Sequence, residues 1–145
     1  MIFSEIDTVQ DIDKETFLSN YYKPQKPVLI KGYARQCTEY EKWNLDYIYE
    51  KAGDKEVGLY DNKPADPNKA TDLPVKQMKM RDYIRLIKSE PSDLRIFFFI
   101  ITDHLPSLLK NFTYPDLGFK YFKRIPTLFF GGSEARVLMH YDVDC

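Results

Sequence analysis

The chain has 145 residues, 43% hydrophobic and 30% charged, which gives room for one domain with a sizeable core. With 21 Lys and Arg against 22 Asp and Glu, it carries no bulk field to hold nucleic acid or an anionic membrane. The two cysteines, Cys37 and Cys145, make neither a disulfide framework nor a zinc pair, and the chain reads as cytoplasmic and reduced.

The opening stretch, "MIFSEIDTVQ", lacks the basic and apolar segments of a leader. A first helix is predicted over residues 13–22, with Asp13 as its N-cap and Phe17, Leu18, Tyr21 and Tyr22 on one face. Pro24 and Pro27 end it, and "PVLIKG" follows as a short buried strand stopped by Gly32. Asn44 is placed to cap a second helix, Trp43 and Ile48 to form a hydrophobic staple, and Gly53 to serve as a C′ glycine. "KEVGLYD" alternates as a strand, and residues 62–74, with three prolines, read as an exposed loop.

A third helix is predicted over 77–89, where Met80, Tyr83, Ile84 and Ile87 recur at three and four residues before Pro91. "LRIFFFIITD" is apolar on both faces and predicts a strand buried on both sides, its three phenylalanines in the core. At six residues, its apolar run "IFFFII" is too short to cross a bilayer. A helical turn is expected after Pro106 and loop over 114–118. "TLFFGGSEARVLMHYDVD" predicts two strands joined by a turn at Gly131 and Gly132. Helices dominate to about residue 90 and strands from 91 onward, within one domain over 1–145, so the class expected is α+β.

The last predicted strand carries the chemistry. Side chains two apart on a strand share a side, so Arg136, Leu138, His140 and Asp142 face one way and Val137, Met139 and Tyr141 the other. One imidazole and one carboxylate side by side can hold adjacent positions on a metal ion. They are the near half of the two-His-one-carboxylate arrangement, which binds Fe(II) and leaves positions open. Taken alone, the triplet arises readily by chance, and a polar strand end is the simpler reading. The other histidine, His104, reads as a loop or helix-start residue, and Asp144 as a solvated chain end, so no third ligand is in view. Lys120, Lys123 and Arg124 read as a solvated face, and the glycine pair lacks the lysine-bearing helix of a phosphate cradle.

Several separated stretches, in order, resemble the JmjC-type, cupin-like Fe(II)/2-oxoglutarate-dependent oxygenases, near the HIF asparaginyl hydroxylase group. "KPVLIKG" is similar to the family's opening strand, and "KWNLDYIYEKAGDKEVGLYD" resembles the tryptophan, helix and Gly-Asp block that follows. "MKMRDYIRLIK" and "DLRIFFFI" match the helix and strand before the barrel, and "PTLFFGGSEARVLMHYDVD" the strand, glycine turn and metal-binding strand. The resemblance implies a double-stranded β-helix of the cupin or jelly-roll type, here truncated to its first strands. It implies His140 and Asp142 as two of three iron ligands, with 2-oxoglutarate as co-substrate and hydroxylation of a substrate C–H bond as the reaction. The substrate class implied first is a protein or peptide side chain, although the family also acts on modified RNA bases and methylated lysines. The even charge balance, not the resemblance, speaks against a membrane or nucleic-acid partner.

In the family the third ligand, a histidine, and the basic residue that pairs with 2-oxoglutarate lie downstream of this triplet, so the chain reads as an N-terminal part that is inactive alone. Its open barrel edge predicts association with itself or with a partner. Two departures stand out. Where the asparaginyl hydroxylase branch has a threonine and a tyrosine that hold the co-substrate, this chain has Val137 and Phe97. The rival readings are a non-catalytic cupin-like binding or scaffold module and a cupin with other metal chemistry.

Overall fold

The computed structural model describes residues 5–36, 40–64, 66, 68, 73–110, 112–114, 116–118 and 126–137. The chain divides into two compact units, one drawn from Met1–Trp43 and Leu108–Arg124, the other from Asn44–Ser107 and Ile125–Cys145.

In the first unit Asp13 caps α1 (Lys14–Phe17). Its Oδ1 accepts from the Thr16 backbone N–H at 2.9 Å and its Oδ2 from the Thr16 hydroxyl at 2.7 Å. The bond from the Thr16 backbone, then that from its hydroxyl, hold the Asp13 carboxyl below the usual carboxylate range. The α-helix stops short of Tyr22, because Leu18–Tyr22 is a π-helical turn. Its wider winding breaks the expected stripe: Phe17, Leu18 and Tyr21 are half-buried, whereas Tyr22 is exposed. β2 (Val28–Ile30) pairs in parallel with β1 (Asp7–Val9), a strand not anticipated from the sequence. Nor is β2 buried on both faces. Val28 and Ile30 are half-buried while Leu29 between them is exposed, since a two-stranded ladder offers its strands one sheltered side. Gly32, at φ +72°, turns the chain where the strand was expected to stop. Trp43 packs against Phe112 with ring centroids 5.8 Å apart, and Phe112 meets Tyr114 edge-on at 5.0 Å.

The second unit is built on a four-stranded antiparallel sheet in the order β4-β3-β5-β6. Its strands are β3 (Glu56–Tyr60), β4 (Lys76–Lys79), β5 (Arg95–Ile100) and β6 (Thr127–Gly131). Asn44 caps α2 (Leu45–Ala52), its side chain accepting from the Tyr47 backbone N–H at 3.0 Å. Gly53 follows in the right-handed helical region instead of the left-handed one expected of a C′ glycine. Crowding is what excludes a side chain there, since a Cβ would stand 2.4 Å from the Tyr49 carbonyl oxygen. The predicted third helix also divides. Lys76–Lys79 is strand, paired with β3, and α3 (Met80–Ser89) begins only at Met80. Pairing along β3 satisfies the backbone groups of 76–79 across the sheet, which overrides the helical spacing there.

Helix spacing and strand alternation then meet in one core. Met80, Tyr83 and Ile84 from α3, Ile48 and Ala52 from α2, and Val57, Leu59, Ile96 and Phe99 from the sheet are all buried. β5 is not buried on both sides as expected. Pairing with β6 is regular at Ile96–Phe130 and again at Phe99–Leu128, so β5 has one residue more between these points than its partner. That bulge throws Phe98 outward, 61% exposed at φ +59°, and returns Phe99 to the core. The three phenylalanines therefore have three fates: Phe99 buried, Phe97 half-buried, Phe98 exposed. A short helix, α4 (Ile101–His104), follows, and the helical turn expected after Pro106 is present as the 3-10 turn Pro106–Leu109. The fold is α+β with an antiparallel sheet, and among the described residues that sheet closes into no barrel.

Candidate functional site

Alternation that buries Leu59 and Ile96 turns Tyr60, Arg95 and Phe97 onto the opposite face of the sheet. Aromatic rings collect on that face. Phe97 meets Tyr60 edge-on at 5.6 Å and Phe129 at 5.5 Å, and Phe98 lies 6.2 Å from Tyr60. The Arg95 guanidinium lies over the Phe97 ring, 5.0 Å from its centroid.

Gly131 ends β6 and Gly132 opens the turn that follows, closed by the Ala135 N–H on the Gly132 carbonyl, but the described residues beyond it do not run back along β6 as a hairpin would. Gly132 donates its backbone N–H to the Leu94 carbonyl and Glu134 to the Ser92 carbonyl, both at 3.0 Å. The chain is thereby tied to the start of β5. A Cβ on Gly132 would lie 2.2 Å from the Ser92 carbonyl oxygen, so this close crossing demands glycine. Asn62, just past β3, then fastens the segment. Its Nδ2 donates to the Glu134 carbonyl at 2.9 Å, and its Oδ1 accepts from the Arg136 backbone N–H and from Arg95 Nη1, each at 2.8 Å. Its own backbone N–H donates to Asp93 at 3.2 Å. The result is a cavity of about 240 Å³ on the open face, lined by Arg95, Phe97, Phe129, Gly131, Ala135 and Val137 among others.

His140 and Asp142 lie outside the described residues, as do Leu138, Met139, Tyr141, Asp144, Lys120, Lys123, Arg124, Cys37 and Cys145. Of the side expected to carry the metal ligands, Arg136 alone is described, outside any strand and with its backbone held by Asn62. His104 is an exposed residue at the end, not the start, of α4, its ring stacked on Phe99 at 4.7 Å. Among the described residues, no three His, Cys, Asp or Glu side chains stand together as a metal site, and no helix is long and apolar enough to cross a membrane. Val137 and Phe97, the two departures from the asparaginyl hydroxylase branch, line the same cavity.

Arg95 and Asn62 were not singled out from the sequence. A charged residue opening an otherwise apolar strand, as in "LRIFFFI", was the available signal, because such a group must find polar partners. A family model described as a cupin-like domain matches residues 14–144 of the chain. No curated protein matches it.

Proposed function

The chain belongs to the cupin-like domain family, and on that premise we propose that the protein is a non-haem Fe(II)- and 2-oxoglutarate-dependent oxygenase, nearest in kind to the HIF asparaginyl hydroxylase group. Its substrate is a protein or peptide side chain. His140 and Asp142 are two of the metal ligands, an imidazole and carboxylate pair of the kind that suits Fe(II).

The observation that carries this reading is the course of residues 131–137. Stitched to Ser92, Leu94 and Asn62, the chain leaves β6 and arrives at Val137, on the lining of the cavity and three positions before His140. The donor set there fits a carboxylic co-substrate, with one guanidinium among apolar walls. Bound iron would supply the oxygen chemistry. The part of the described residues is to orient and to exclude water: Phe97 and Phe129 wall the cavity, Arg95 offers its cationic edge, and Asn62 fixes the segment that leads to the ligands. Because Val137 and Phe97 have no hydroxyls, the co-substrate is not held as in the asparaginyl hydroxylase branch.

The test is titration of the protein with Mn(II), then with 2-oxoglutarate in the presence of metal. His140→Ala and Asp142→Ala are expected to lower metal affinity by about tenfold or more, while His104→Ala leaves it unchanged. Indifference of the wild-type protein to metal would overturn the proposal in favour of a binding or scaffold module. Metal binding without 2-oxoglutarate binding would indicate a cupin of other metal chemistry.

A further inference from the structure

We propose that Phe98 is a contact residue for a polypeptide, its ring presented beside the cavity to an aromatic side chain of an extended segment. That this polypeptide is the substrate rests on the proposed function. The contact itself rests on the geometry of β5.

Two non-glycine residues among those described have positive φ, Gln25 at +56° and Phe98 at +59°. Gln25 is exposed in a turn. Phe98 stands inside a strand, where a bulky residue takes this conformation only at a cost. A buried ring would offset that cost by packing, but Phe98 is 61% exposed. Its contacts with Tyr60 and Phe97, at 6.2 and 6.0 Å between ring centroids, leave most of the ring in solvent. Bulges beside functional sites re-aim a side chain, and strain kept without a packing return points to use.

The ring is continuous with the cavity. Phe97 meets Phe98 on one side and Phe129 on the other, and Phe97, Phe129 and Val137 line the cavity wall. The 6.0 Å from Phe97 to Phe98 is about two residues of extended chain at ~3.3 Å each. Residues two apart share a side, so a chain that sends one side chain into the cavity lays its next-but-one neighbour on Phe98. The exposed parts of Phe98, Phe129 and Val137 come to roughly 300 Å². A stable dimer takes about 800 Å² from each partner, so this patch alone holds none and matches two or three side chains of a peptide. Tyr60 already meets Phe98 edge-on, at 78° between the planes, and another ring is the partner that extends such packing.

Selection from a random dodecapeptide library displayed on phage, then fluorescence anisotropy of the recovered peptides, tests the assignment. The wild-type protein is expected to recover sequences with an aromatic residue at a fixed position. Phe98→Asn should weaken these peptides by about tenfold or more, with a native circular dichroism spectrum and unchanged response to Mn(II). Phe98→Gly is a second variant, because glycine adopts the left-handed conformation without strain. Leu73→Asn removes an apolar side chain that is 84% exposed elsewhere in the same unit, and should leave peptide affinity unchanged. Failure to recover aromatic-bearing peptides, or folded Phe98 variants that bind them as the wild type does, would overturn the assignment. So would Phe98→Asn abolishing self-association in a protein that recovers no peptide, since the ring then serves a contact between copies. Peptide binding through Phe98 in a protein indifferent to metal upholds the contact and overturns the oxygenase reading alone.

Discussion

Tyr83 has no exposed surface, and its hydroxyl donates to the Leu94 carbonyl at 2.9 Å with the Phe130 carbonyl 3.3 Å away. Its ring stacks on Phe130 at 5.5 Å, so one α3 side chain ties the start of β5 to β6 at the base of the cavity. Burial pushes its phenol from 10.0 up to about 12, because the phenolate would lose its water. The native state therefore holds this proton more tightly than the unfolded chain. The corresponding stability is complete below pH 10 and is lost as pH rises through about 12. Tyr83→Phe is expected to flatten that alkaline limb and to cost about 1 kcal/mol at neutral pH for the lost hydrogen bond. The cost stays small because the Leu94 carbonyl keeps the Gly132 N–H as a donor. Urea midpoints measured across the alkaline range check this, and parallel curves for the two proteins would refute the assigned cause.

β5 shows at the scale of an element what the sequence conceals. "IFFFII" reads as one uniform apolar strand, yet a single bulge divides its aromatic residues between core, cavity and solvent. Phe99→Ala removes a core ring and should cost about 3–5 kcal/mol. Phe98→Asn is expected to be neutral or to stabilise by up to about 1 kcal/mol. Asparagine tolerates the left-handed conformation that Phe98 is forced to adopt, and the ring it replaces is largely in solvent. Urea unfolding of the two variants tests the bulge directly, and equal losses would mean that both rings are core.

The same contrast explains what was legible. The caps at Asp13 and Asn44 each depend on a side chain and a backbone N–H three residues away, so the local sequence suffices. The parallel pairing of β1 with β2, strand β4, the bulge and the Asn62 fastening each depend on a partner far along the chain, which no local pattern encodes. The family resemblance pointed to His140 and Asp142. The cavity beside Val137 became visible only once Asn62, Arg95 and Gly132 were brought together.

For the molecule as a whole, the two edges of the second unit's sheet differ in a way that bears on association. The β4 edge is guarded by exposed Lys76 and Lys79, charges that oppose pairing with another strand. The β6 edge, "TLFFG", has no charge, and Phe129 beside it is 55% exposed on the face that also carries Phe98. Among the described residues nothing guards this edge, and an edge of that kind joined to an aromatic face predicts self-association through β6. Sedimentation of the wild-type protein should shift with concentration, and sulfate should strengthen the association, as expected for apolar contacts. Phe129→Lys should move the population to monomer with only a small change in stability. A wild-type protein that stays monomeric, or a variant that associates equally, would rule this out. The β6 face also bears the cavity in which the co-substrate is proposed to bind, so association and that ligand would draw on the same surface. Saturating 2-oxoglutarate should therefore shift the equilibrium toward monomer, since a ligand favours the state that leaves its site open.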